Sequence, residues 1–231
     1  MKLELCTDCV EGALLAGRYG FKRIELCSAL SEGGLTPSFG MIQSCAEVHT
    51  IEVHAMIRTR GGSFACDDSE MLVMQNDIKA ASEAGAKGVV FGVLEASQKV
   101  SSKNQVLLDL AHSLGLQATF HRAFDQVDDP FKALAQLVEM GFDRLLTSGQ
   151  QDRAIDGLEL LRTIQEEYGS KIEIMAGSGV NPDNALSFAE AGLENIHFTS
   201  RKPSEEKIIT GMGVNMITDE TKIRAIHDLF A

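Results

Sequence analysis

The chain has 231 residues, 44% hydrophobic and 23% charged, with a formal net charge of −12, enough to bury the core of one large domain or two small ones. That acidic balance, with no basic cluster to override it, argues against nucleic acid or an anionic membrane surface as a partner. No apolar run approaches the ~20 residues needed to span a bilayer. The five cysteines are odd in number and without framework spacing, so reduced thiols in a cytoplasmic protein are expected rather than disulfides.

Taken in chain order, the first predicted strand, 3–6, reads Leu3-Glu4-Leu5-Cys6. It returns almost unchanged as Ile24-Glu25-Leu26-Cys27 in the second, 22–27. Alternation across a sheet puts Glu4 and Cys6 on one face, and Glu25 and Cys27 on the equivalent face next door. Short apolar runs then recur at 51–58, 87–93, 116–121, 143–148, 171–176 and 194–198, as buried parallel strands do. A glycine ends a helical pattern just before six of these eight strands, at Gly20, Gly85, Gly115, Gly141, Gly169 and Gly192, where a left-handed cap costs least.

Helices fill the gaps. Met71, Met74, Ile78 and Ala81 form an apolar stripe at helical spacing, as do Leu158, Leu161 and Ile164. Thr36-Pro37 and Asn181-Pro182 read as caps followed by proline at the first helical position, and Thr218 with Asp219 opens a last helix. Eight alternating units in this length predict a single-domain (β/α)8 TIM barrel over residues 1–231. A long loop at about 199–217 follows the eighth strand, in the position of a lid.

Function in such a barrel gathers at the carboxyl ends of the strands. Those ends supply Glu4 and Cys6, then Glu25 and Cys27, then His54, Met56 and Arg58. The fifth strand supplies His121, Arg122 and Asp125, the seventh Gly177, Ser178 and Gly179, and the eighth His197. Lys22, Lys87 and Lys171 sit at strand starts instead, and the absence of lysine at any strand end argues against a Schiff-base aldolase.

The blocks Arg23-Ile-Glu-Leu-Cys-Ser28, Met56-Ile-Arg-Thr-Arg-Gly-Gly62 and Thr119-Phe-His-Arg-Ala-Phe-Asp125 resemble the copper homeostasis protein CutC family, and the likeness runs over nearly the whole chain. It implies a cytoplasmic TIM barrel, often a homo-oligomer, associated with copper handling. It also implies Cu(I) held by the cysteines ending the first two strands, here Cys6 and Cys27. Cys9 stands where the family has serine, and Ala176-Gly177-Ser178-Gly179 replaces a Pro-Gly-Gly-Gly run.

Two chemistries follow. Paired thiols, with the Met56 thioether nearby, suit Cu(I). Alternatively Glu25, Arg58, His121, Arg122 and Asp125 serve acid–base catalysis on a small anionic metabolite, an arginine clamping its carboxylate or phosphate and the Gly177-Ser178-Gly179 turn cradling phosphate. In the plainest reading the same charges form a buried network in which Arg58 or Arg122 neutralises Glu25. Cys6-x-x-Cys9 lacks the helix-terminal geometry of a redox dithiol, and Cys45 and Cys66 fall in helix and loop.

Overall fold

Eight short strands pair in parallel, each with the next, and the last returns to the first to close a barrel. The computed structural model describes residues 1–206 and 214–231. The strands are β1 (Lys2–Thr7), β2 (Arg23–Leu26), β3 (Glu52–Met56), β4 (Gly88–Phe91), β5 (Gln117–Phe120), β6 (Arg144–Thr147), β7 (Glu173–Gly177) and β8 (Asn195–Thr199). All eight lie where the apolar runs place them. The helices are α1 (Val10–Arg18), α2 (Phe39–Ala46), α3 (Asp68–Glu83), α4 (Lys103–Ser113), α5 (Pro130–Met140), α6 (Leu158–Tyr168), α7 (Ala185–Glu190) and α8 (Glu220–His227).

Local chemistry sets the boundaries. Asp67 opens α3 in a reciprocal capping box with Glu70, and Asp129 caps α5 ahead of Pro130. Five of the six punctuating glycines sit at positive φ; the exception is Gly169, at −58°. The cap expected at Thr36 lies two residues on, at Ser38, whose hydroxyl accepts from the Met41 N–H. Thr36 is otherwise engaged: its hydroxyl bonds both the N–H and the carbonyl of Arg58. The long loop carries a two-stranded hairpin, β9 (Arg201–Pro203) against β10 (Met216–Thr218); its residues 207–213 lie outside the described residues.

The apolar core lies outside the barrel wall. Leu5, Ile24, Phe91 and Phe120 point outward and pack with Ile78, Leu107, Leu134 and Ile164 of the helices. The lumen differs from the branched-aliphatic filling usual in this fold. Its lower layers hold Glu4, Arg23, His54, Thr119, Arg144 and Asn195, all buried. Arg23 Nε donates to Glu4 at 2.5 Å, and its Nη2 donates to Asn195 at 3.2 Å. Arg144 donates to Glu173 at 2.7 Å and to Thr119 at 3.0 Å. Burying these charges is tolerable because each is paired.

Candidate functional site

Register decides what meets at the barrel mouth. Pairing sets Cys6 level with Glu25, and Glu4 level with both Arg23 and His197. The sequence repeat is 21 residues, but strand partners are 19 apart, so Cys27 sits two residues higher than Cys6 rather than beside it. The side chains still converge: one oxygen of Glu25 and the sulfurs of Cys6 and Cys27 lie within 4.8 Å of one another. Cys6, Cys27, Met56 and Val90 form a small apolar cluster of their own inside the mouth, with Leu30 against it.

The charges around the sulfurs are ordered. The neighbouring Cys27 thiol stabilises the Cys6 thiolate and holds its pKa at about 5; the adjacent His197 imidazolium assists and burial opposes. Cys27 moves the other way, raised by its bond to Cys6 and by burial. Burial raises the Glu25 carboxyl too, and the charges of Cys6 and Glu4 add to that rise. Burial also works against the charged form of Glu4, but Arg23 and His197 outweigh it and hold the carboxyl below its usual range. His197 meets Glu4 through Nδ1 at 2.8 Å, while its Nε2 lies 3.7 Å from Glu25. Glu25, Cys6 and Glu4 raise its pKa against the effect of burial.

Above this floor opens a cavity of about 480 Å³, with Cys6, Glu25, Met56, His121, Arg122 and His197 on its walls. His121 accepts the Ala123 N–H at Nδ1, which places the ring proton on Nε2. Burial, helped by the charge of Arg58, pushes its pKa down to about 3, so the ring is neutral.

Arg58, Arg122 and Asp125 line the same cavity, and their polar groups also hold the surrounding loops. Both terminal nitrogens of Arg58 donate to main-chain carbonyls, at Glu32, Gly34 and Gly62, and its guanidinium stacks over Phe64. It straps the loop after β2 to the end of β3. Asp125 accepts from Arg122, from the Thr147 hydroxyl and from the Ser148 and Gln150 amides. Neither arginine neutralises Glu25; the cation facing it is His197. The Gly177-Ser178-Gly179 turn lies against Asp152, Arg153 and Ala154: the Ser178 hydroxyl donates to Asp152, and Ala154 donates to Ser178. Cys9 meets the Thr218 hydroxyl at 3.3 Å.

A model of the CutC family matches residues 1–202. The chain belongs to the CutC family. A CutC family protein of Vibrio vulnificus (strain YJ016) is 43% identical over 209 residues, which cover 90% of this chain and 84% of that protein. One from Histophilus somni (strain 2336) is 36% identical, with 100% of this chain and 99% of the relative covered. The crystal structure of a protein assigned as copper homeostasis protein CutC from Streptococcus agalactiae superposes with a TM-score of 0.80 at 32% identity, covering 85% of this chain and 97% of that one. A 3-hexulose-6-phosphate synthase from Salmonella typhimurium, at 18% identity and a TM-score of 0.64, shares the fold.

For this CutC chain the residue that sequence reasoning undervalued is His197. It reads as a lone strand histidine, and its place beside Glu4 exists only because β8 closes onto β1. Barrel closure was the available signal, since it makes the last strand a neighbour of the first.

Proposed function

We propose that this CutC protein is a cytoplasmic copper homeostasis protein that binds Cu(I) through Cys6 and Cys27, buffering or passing on the ion without turnover. The observation that carries the reading is the convergence of the two sulfurs within 4.8 Å, with Cys6 on the wall of an open cavity. Thiolates suit this soft ion, and the Met56 thioether belongs to the same cluster. The residues fit the ion in charge as well, because one thiol is already held as thiolate by its neighbours. Metal binding releases the remaining thiol proton to solvent. Anaerobic titration with Cu(I) against a strong chelator tests the reading. Cys6→Ser combined with Cys27→Ser is expected to abolish competition with the chelator; an unchanged affinity removes the proposal.

A second reading is favoured by the size of the cavity and by the two titratable groups on its walls. In it, Glu25 exchanges a proton with a small carboxylated or phosphorylated metabolite and His121 donates a hydrogen bond from Nε2. Arg58, which lines the cavity and meets main-chain carbonyls rather than a carboxylate, supplies the positive charge, whereas Arg122 is paired with Asp125. A thermal-shift screen with sugar phosphates and oxo acids separates the readings: stabilisation that disappears in Arg58→Ala supports catalysis on an anion.

A further inference from the structure

The Cu(I) reading leaves Glu25 without a role. Its residue is 3% exposed, and among the described residues its Oε1 has no hydrogen-bond partner. A buried carboxyl oxygen without a partner is costly, and natural proteins rarely keep one without use. The other oxygen accepts from the Cys27 thiol at 3.5 Å and lies 3.7 Å from His197 Nε2. The Cys27 proton thus occupies the space between a sulfur and a carboxylate, where an ion bound by both would sit.

We propose that Cys6, Cys27 and Glu25 form a three-donor site for a borderline divalent cation of the Zn²⁺ type, with its fourth coordination position open to the mouth cavity. This rests on the same thiols as the Cu(I) reading but on a different ion and a further ligand. Tetrahedral Zn²⁺, with bonds of about 2.3 Å to sulfur and about 2.1 Å to oxygen, sets donors roughly 3.6–3.8 Å apart. Donors already within 4.8 Å of one another need to close by about an ångström at most. Carboxylate oxygen adds little to soft Cu(I) but is an ordinary ligand of Zn²⁺.

His197 lies beside the site, its Nε2 3.7 Å from the Glu25 oxygen that meets the Cys27 thiol. Glu4, held by Arg23, fixes the ring through Nδ1. Three protein ligands plus an open position is the pattern of catalytic rather than structural zinc, and the open position takes water or one small oxygen donor. A cavity of about 480 Å³ lies over it, with neutral His121 on its wall.

Cobalt(II) is the probe. Anaerobic addition to the wild-type protein is expected to give thiolate-to-cobalt charge transfer with the intense d–d bands of a four-coordinate ion. Azide is expected to shift those bands by taking the open position. In competition with a chromophoric chelator, Glu25→Gln is expected to weaken Zn²⁺ by about tenfold or more while Cu(I) changes less than about threefold. Weak octahedral cobalt bands, indifference to azide, or equal losses of Zn²⁺ and Cu(I) overturn the proposal. The wild-type cobalt spectrum decides even where the variant folds poorly. Zn²⁺ bound without Cu(I) ends the copper reading alone, and Cu(I) bound without Zn²⁺ ends this one alone.

Discussion

At the scale of single residues, the mouth is a set of titratable groups whose neighbours drive them apart. Cys6 and Cys27 are chemically alike, yet one is held as thiolate and the other as thiol. His121 and His197 face one cavity, yet one is neutral and the other charged. For His121 the consequence is a pH dependence of folding. Its folded pKa of about 3 lies below the unfolded 6.5. As pH falls below 6.5 the unfolded chain therefore takes up a proton that the folded chain refuses, and stability drops, by about 1.4 kcal/mol per pH unit for one proton. Asparagine at this position offers an oxygen to the Ala123 N–H in place of Nδ1 and removes the titration. Urea unfolding at pH 7 and pH 5 is expected to show wild type losing more stability on acidification than His121→Asn. Equal losses in the two proteins contradict the burial argument. Residue types at the mouth were legible from the sequence because alternation along strands of known ends selects them. Their partners were not: whether Arg58 faces a ligand or a carbonyl depends on where the loops at Glu32, Gly34 and Gly62 run, and no periodicity encodes that.

At the scale of elements, the strands were the most readable parts, since buried parallel strands are continuous apolar runs and glycine punctuates the preceding helices. The register was less so. A repeat of 21 residues suggests level partners, whereas the barrel's stagger pairs residues 19 apart and tilts the thiol pair across two layers. Glycine in β4 has a further role that its sequence position conceals. A Cβ built on Gly88 comes within 2.4 Å of His54 Nδ1, and one on Gly92, just past the strand, comes within 2.7 Å of His121 Nδ1. The glycines of this segment make room for imidazoles from the neighbouring strands. His54 is fully buried, so its ring has nowhere to retreat. Gly88→Ala is expected to cost about 1–3 kcal/mol in chemical denaturation, in the range of overpacked cores. Gly115→Ala, where no atom lies within 4 Å of the added methyl, meets no such collision and serves as the comparison for backbone strain at φ +73. A cost at Gly88 no greater than that of an exposed strand glycine would mean that the lumen yields easily.

At the scale of the whole molecule, the barrel is closed by charge on its inner face and by hydrocarbon on its outer one. Arg23 from β2 reaches Glu4 on β1, Asn195 on β8 and the Met175 sulfur on β7. Arg144 from β6 reaches Glu173 on β7 and both Thr119 and Gln117 on β5. Two guanidiniums thus tie six of the eight strands to one another. The eight-unit architecture was plain in the sequence, but this inner network was not. Arg23 and Arg144 stand at strand starts, where a side chain reads as surface, and only closure turns them into the lumen. That network also supports the mouth, because Glu4 orients His197 while Arg23 holds Glu4. Removing Arg23 leaves the buried Glu4 carboxyl with the His197 ring as its remaining partner, and losing one partner of a buried pair typically costs about 3–5 kcal/mol. Arg23→Met is therefore expected to lower the unfolding free energy by about that amount, measured by urea denaturation at neutral pH. Adding Glu4→Gln to Arg23→Met removes the stranded charge and keeps an oxygen toward His197. The double variant is expected to recover part of the loss even though it lacks one more native residue. A double variant less stable than Arg23→Met alone would show that the arginine acts by filling space in the lumen rather than by balancing charge there.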